Sequence, residues 1–344
     1  MTYNVLLLFT KINSPIMLGL ELYDSLVRYK ELNIYFRHTS FISIKDINKY
    51  DIVIPLDVPS QQYYNSLKHS KFFSTTTNIY ELLDNKTLCY QLVKKHKQVR
   101  QIPTFTVDSK YSLEEFVKIN SSEKYIIKNN TGYAAFYQTI LNKNQLLKRT
   151  RNSLKDSVVQ PKFENFKIYS LDILSKNGII ISDLFTIVGD NGLSDNGLVF
   201  ADFILGSIRT RKIDDPKLYN LSKQFSEAVI KEFNYSGLIE FEFIITEDNN
   251  IYFLEINPRL CGHIGQKDIN RNCVYYNKII IPYFKEYGIH LPEQLVINDY
   301  EGSNLKNIIP LIFNLNPILF ITLGLIYLYI VILIIQKFKI LDKL

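Results

Sequence analysis

Residues 238–259 read LIEFEFIITEDNNIYFLEINPR. Two alternating apolar runs flank Glu247-Asp248-Asn249-Asn250, a cluster of turn-forming residues, so the stretch reads as a β-hairpin. A turn centred between Asp248 and Asn249 sets Glu242 opposite Glu255 and Glu240 opposite Asn257. The period of two then puts these four on one face, with Phe241, Phe243, Leu254 and Ile256 on the other. An odd-length turn would break that register. Like charges directly opposite across a sheet repel, so facing glutamates require a cation between them or open solvent above them. Carboxylate and amide oxygens suit Mg²⁺, whereas alternating glutamates are also common on a solvated hairpin face. The hairpin alone leaves both readings open.

The rest of the chain supplies the setting. At 344 residues it is long enough for two or three domains and for a sizeable core. An apolar share of 47% with 22% charged residues excludes disorder over most of the length. The net charge of +6 is not concentrated in one patch. The basic run Lys94 to Arg100 has no interleaved aromatic platform, so nucleic acid is not an expected partner. Cys89, Cys261 and Cys273 have no CxxC spacing, which excludes a zinc ribbon or disulfide framework and suits a reducing compartment.

Near the N-terminus, Val5 to Phe9, Asn33 to Arg37 and Asp51 to Leu56 read as short buried strands. Ser14-Pro15 opens a helix reaching about Tyr29. Strands interleaved with helices predict a parallel α/β unit, and Thr10 to Ser14 lacks the GxGxxG of a dinucleotide site. The Val5–Phe9 run is too short for a signal peptide and is followed by Lys11. Further on, Lys128 closes the apolar strand Tyr125 to Lys128 ahead of Asn129-Asn130-Thr131-Gly132. A lysine so placed reaches a phosphate held by loop N–H groups, or simply solvent. Asp84 is the expected N-cap of a helix running to about Lys97, with Leu88, Leu92 and Val93 on its buried face. Lys86 in its first turn opposes the helix dipole unless an anion is shared there.

In this order, the pieces resemble the ATP-grasp superfamily. DNKTLCYQL followed by IPTF resembles its D-K helix and Pro segment; YIIKNNTG resembles its strand lysine and small-residue loop. VVQPKF (Val158 to Phe163) resembles the strand that receives adenine, and FEFIITEDNNIYFLEINPR the paired metal-binding strands ending in E-x-N-P-R. The spacing is similar to that of the biotin carboxylase and carbamoyl-phosphate synthase branch and of stand-alone carboxylate–amine ligases. The resemblance implies a Rossmann-like pre-domain over 1–82 and a two-lobed ATP-grasp domain over 83–300, with lobes of about 83–163 and 164–300. The overall class is then α/β and α+β. Lys86 and Lys128 would contact the ATP phosphates, while Gln160, Lys162 and Phe163 line the adenine site. Glu242, Glu255 and Asn257 would hold Mg²⁺, or Mn²⁺ in its place, and Arg259 would stabilise an acyl-phosphate. The implied reaction joins a small-molecule carboxylate to an amine at the expense of ATP; the alternative is a catalytically weak ATP-binding membrane scaffold or sensor.

Departures from the family are specific. The loop after Lys128 has one glycine where relatives have several. The stretch Asn165 to Ser170 lacks the ribose-binding Glu, for which Glu164 is the substitute at hand. Leu260-Cys261-Gly262-His263-Ile264-Gly265 follows where a biotin carboxylase carries other residues, so no biotin role is implied. Arg209 and Arg211 are candidates for a substrate carboxylate, against the reading of a basic surface strand.

The C-terminus is of another kind. Pro317 to Ile335 is almost wholly apolar, and its nineteen residues as a helix would span about 28 Å, close to a bilayer's hydrocarbon core. We therefore expect a single-pass transmembrane helix within a membrane-anchor segment over 308–335. A basic tail over 336–344 follows, and the catalytic domain lies in the cytoplasm. The competing reading is a buried core helix.

Overall fold

Contacts along the chain separate Met1–Ile297 from Asn298–Leu344. The computed structural model describes residues 2–10, 22, 26, 29–67, 77–131, 138–164, 166–190, 211–212, 215–260 and 274–292. The expected anchor and tail lie outside these residues. Among the described residues, no helix is long and apolar enough to cross a membrane.

The three strands expected near the N-terminus are present as β1 (Tyr3–Phe9), β2 (Leu32–His38) and β3 (Ile52–Pro55). They form a parallel sheet in the order β2-β1-β3. Central strand β1 buries Val5 through Phe9 completely, which is why it reads as a continuous apolar run rather than an alternating one. Helix α1 (Val58–Ser66) follows β3, capped by Asp57, whose Oδ1 accepts from Ser60 N at 2.6 Å. The other oxygen of Asp57 accepts from Thr10 N at 2.9 Å, tying the end of β1 to the helix. Three parallel strands do not by themselves establish a Rossmann-like arrangement, and the helix expected from Ser14 lies largely outside the described residues.

A second sheet is antiparallel in the order β6-β5-β7: β5 (Lys124–Asn129), β6 (Gln138–Asn142) and β7 (Ser157–Pro161). Tyr125, Ile127, Leu141 and Val159 pack into a core with Phe105 and Phe116. Strand alternation turns Ile126, Lys128 and Gln160 to the opposite face.

The third sheet has six strands in the order β10-β9-β8-β11-β12-β4. These are β4 (Arg100–Gln101), β8 (Phe166–Lys176), β9 (Ile179–Asp190), β10 (Arg211–Lys212), β11 (Gly237–Thr246) and β12 (Ile251–Asn257). One face is covered by α2 (Pro216–Glu232), which starts on Pro216 with Asp215 as its cap. Its Phe225 is fully buried, with ring centroids 6.3, 6.0 and 5.3 Å from Phe241, Phe243 and Phe253.

The hairpin reaches the expected pairing by an unexpected route. Ile245 pairs with Ile251, so the loop is the odd-length one, Glu247-Asp248-Asn249, with Asn249 in the left-handed region at φ 58°. Left alone, that loop would set Glu242 against Leu254 and turn Glu255 into the phenylalanine core. The register shifts between Glu242 and Phe243, where Leu254 is the extra residue on β12. Beyond this bulge Glu242 lies opposite Glu255 and Glu240 opposite Asn257, as expected from the sequence. The expectation for Leu254 is corrected: it packs with Ile102, Phe166 and Ile244, not with Phe241 and Phe243.

The helix carrying Lys86 is also corrected at both ends. Asp84 closes a preceding helix, Thr77–Asp84, and the cap is Asn85, whose side chain accepts from Leu88 N at 3.1 Å. The helix, α3, runs over Lys86–Val93 and buries Cys89, Tyr90 and Val93, while Leu88 is 38% exposed.

Phe225 is the side chain that joins α2 to the sheet. Phe225→Ala should lower the free energy of urea unfolding by about 3–5 kcal/mol, from lost burial plus a residual cavity. A loss under 1 kcal/mol would mean that this helix does not depend on the aromatic cluster.

Candidate functional site

The face of the six-stranded sheet opposite α2 is polar along two rows. Across β9, β8, β11 and β12 the first row is Thr186, Ser170, Glu242, Glu255; the second is Leu184, Asp172, Glu240, Asn257. Glu240 and Asp172 are almost wholly buried and are direct register partners. Ser170 Oγ lies between them, 2.9 Å from Glu240 Oε1 and 3.4 Å from Asp172 Oδ2. Glu240 Oε2 accepts from Asn257 Nδ2 at 2.9 Å, and the same amide group donates to Glu242 Oε1 at 3.3 Å. This turns Asn257 Oδ1 the other way, where it accepts from Arg259 at 3.2 Å. Arg259 also donates to the Leu260 carbonyl at 3.0 Å and is buried. Two acids and an arginine are thus linked through one amide, and Asp172 joins them through the Ser170 hydroxyl.

Two lysines reach this face from other elements. Lys86 Nζ stands 3.4 Å from Glu255 Oε2. The start of α3 is fixed to the segment after β5: Lys86 N donates to the Asn130 carbonyl at 2.9 Å, and Thr87 Oγ1 to Asn130 Oδ1 at 2.6 Å. That tie brings Lys86 and Lys128 to one place although 42 positions separate them in sequence. Burial alone would lower the Lys86 ammonium, but the charges of Glu255 and Asp84 outweigh it and hold it above the ordinary lysine value. Lys128 goes the other way. It is 5% exposed, and burial pulls it below the ordinary value, helped by Lys86 and opposed by Glu255 and Glu242. Burial would raise Glu255, yet Lys86 and Lys128 together keep its carboxyl below its usual range. A buried lysine that holds its proton less firmly than usual is stabilised by any further anion brought beside it.

The adenine-side residues separate. Gln160 is buried and donates from Nε2 to Thr104 Oγ1 at 3.0 Å. Phe163 packs on Tyr252, with ring centroids 4.8 Å apart, next to the cluster of Ile102, Phe166, Ile244 and Leu254. Lys162 pairs with Glu164 at 3.1 Å, and Glu164 points outward with its side chain 68% exposed. Gly132, Arg209, Cys261, His263 and Cys273 lie outside the described residues. Arg211 is described only as part of β10, opposite Ile187.

Among the described residues, no group of three or more His, Cys, Asp or Glu is arranged to hold a metal ion. The set here differs in kind: two facing carboxylates, each only partly buried, with the Asn257 amide behind them. Its oxygen donors suit a hard divalent cation, and the partial opening leaves room for other ligands. Sequence reasoning missed Ser170 and Asp172 as members of the site. Their signal was the alternation of polar residues within SLDIL, which acquires meaning only when β8 is paired with β11.

The chain matches a family model described as ATP-grasp domain over residues 83–263. No curated protein matches the chain in sequence. Among solved structures, it is similar to D-alanyl-alanine synthetase A from Vibrio cholerae at 11% identity, covering 85% of this chain and 95% of that one, with a TM-score of 0.56. Biotin carboxylase from Campylobacter jejuni, in a β,γ-ATP complex, is 14% identical over 84% of this chain and 72% of its own, with a TM-score of 0.55. N5-carboxyaminoimidazole synthetase from Staphylococcus aureus, complexed with ADP, is 14% identical over 76% and 72%, with a TM-score of 0.53. At these identities the likeness is one of fold. The family match spans more than half of the chain, which therefore belongs to the ATP-grasp family.

Proposed function

We propose that the chain is a membrane-anchored ligase that uses Mg²⁺ and ATP to activate a carboxylate as an acyl-phosphate for attack by an amine. The observation that carries this reading is the meeting of Glu242 and Glu255 with Lys86 and Lys128 on one sheet face. Facing carboxylates suit a divalent ion, and adjacent lysines, one of them buried with a weakened hold on its proton, suit polyphosphate. The synthetases among the structural neighbours, one complexed with ADP, agree with it.

In this reading Lys86 and Lys128 hold the phosphates of ATP from two elements tied at Asn130. Glu242 and Glu255 would hold Mg²⁺, which when bound neutralises phosphate charge during transfer, and Asn257 would join them through Oδ1 once its amide is turned about, since here its nitrogen faces Glu242 and its oxygen Arg259. A substrate carboxylate oxygen attacks the terminal phosphorus, the bond to the bridging oxygen breaks, and ADP leaves. The amine then attacks the carbonyl carbon, phosphate departs, and the amine loses a proton to solvent. Arg259, oriented by Asn257, offers its guanidinium to the charge that develops on the transferred group. The domain scheme belongs to the same proposal: a Rossmann-like pre-domain over 1–82, the ATP-grasp domain over 83–300 and the anchor over 308–335.

One observation favours a second reading, a catalytically weak ATP-binding scaffold. Glu164, the nearest substitute for the ribose carboxylate, points outward and is engaged by Lys162.

Glu242→Gln should abolish metal-dependent ADP release with stability changed by no more than about 1 kcal/mol, because it relieves repulsion with Glu255. Glu255→Gln should abolish release too, at a greater cost in stability, since Lys86 loses its counter-charge. Turnover like that of the unaltered chain in both variants would exclude the site assignment.

For Arg259, replacement by lysine removes the planar fork while keeping the charge. Arg259→Lys should reduce kcat about 100-fold with little change in ATP affinity. Equal losses in both would mark a structural arginine and favour the scaffold.

For the anchor, the full chain should remain with membranes through carbonate extraction, and a chain ending at Ser303 should be released while still binding nucleotide. Release of the full chain would identify Pro317 to Ile335 as a core helix.

A further inference from the structure

A cavity of about 690 Å³ opens beside β4, the edge strand of the six-stranded sheet. Neither Lys86, Lys128, Glu242, Glu255 nor Asn257 lines it, so it is separate from the charged site described above. Four of its lining residues are basic, His96, Lys97, Arg100 and Lys162, and no Asp or Glu lines it. Tyr252 and Phe163 form an aromatic wall, and the Arg100 guanidinium lies 5.9 Å from the centroid of the Tyr252 ring.

The cations differ in how far their charge is already met. His96 pairs with Glu232 at 2.9 Å, and Lys162 with Glu164 at 3.1 Å. Lys97 donates to the Lys94 carbonyl at 2.8 Å, a contact that neutralises no charge. Among the described residues, neither Lys97 nor Arg100 is in a salt bridge. The cavity therefore carries positive charge from two side chains, Lys97 on the connection between α3 and β4 and Arg100 at the start of β4, the latter also acting on the Asp248 carboxylate.

We infer that this cavity is a second ligand site, for a small organic anion whose carboxylate or phosphate is held by Lys97 and Arg100 and whose flat portion lies against Tyr252. The two charges supply the attraction, the ring supplies a surface for an unsaturated group, and Asn120, Ser121 and Ser122 supply polar neighbours on the opposite wall. Its lining excludes the residues assigned to phosphate and metal but takes in Lys162 and Phe163 from the adenine side, so the cavity borders the adenine end of the proposed nucleotide site, and a ligand held by Lys97, Arg100 and Tyr252 binds beside ATP. The site exists whether or not the chain is a ligase.

Isothermal titration of the full chain in detergent micelles with phenyl phosphate, benzoate and inorganic phosphate tests this. Phenyl phosphate should bind more tightly than inorganic phosphate, and the order of phenyl phosphate and benzoate identifies the preferred anion. Arg100→Gln and Lys97→Gln should each weaken the tighter probe about tenfold, with unchanged thermal unfolding. Tyr252→Leu should remove the preference for phenyl phosphate over inorganic phosphate. Saturating ATP should leave the probe's affinity within about twofold. Absence of binding, affinities unmoved by the Arg100 and Lys97 variants, or competition with ATP would each overturn the inference.

Discussion

The site depends on where one extra residue falls in one strand. Side chains alternate along β12, so the single-residue bulge at Leu254 decides whether Glu255 meets Glu242 or the rings around Phe225. A carboxylate forced into that aromatic cluster would cost far more than the bulge does. The carbonyl of Leu254 is not left without a partner, because the buried Tyr90 hydroxyl donates to it. Tyr90 belongs to the same helix that carries Lys86, so one helix both secures the bulge and delivers the lysine to the glutamate that the bulge exposes.

Charge on this face is balanced by distribution rather than by simple pairs. Asp172, Glu240, Glu242 and Glu255 lie in two adjacent rows, and repulsion among them is moderated by a hydroxyl, an amide and two lysines. Asn257 is the connecting group, since its nitrogen serves the acids and its oxygen the arginine. An aspartate there could not donate to Glu240 or Glu242, which gives a physical reason for asparagine at this position.

Much of this was legible in the sequence, for reasons that differ by element. The buried strands Val5–Phe9 and Tyr125–Lys128 announce themselves through continuous apolar residues, and the hairpin through alternation around an Asp-Asn turn. The facing of Glu242 and Glu255 was read correctly although two features behind it were not, because the odd loop and the bulge each shift the pairing by one and cancel. The cap of α3 was misplaced by one residue since Asp84 and Asn85 are both good caps, and only the end of the preceding helix chooses between them. Ser170, Asp172 and Asn130 were silent, because each acquires its role through a strand or loop distant in the chain.

The bulge has a consequence for how such a hairpin can change over evolutionary time. A residue lost from Glu247-Asp248-Asn249 would shorten the loop above the Thr246–Asn250 contact and leave the pairs below it in place, and loss of Leu254 would close the bulge with Glu255 still opposite Glu242. The extra residue is slack that a single deletion can take up, whereas a residue gained in β12 between Asn250 and Glu255 would need a second bulge to keep the glutamates facing. Loop length and bulge should therefore vary independently among chains of this lineage, with deletions in β12 tolerated better than insertions.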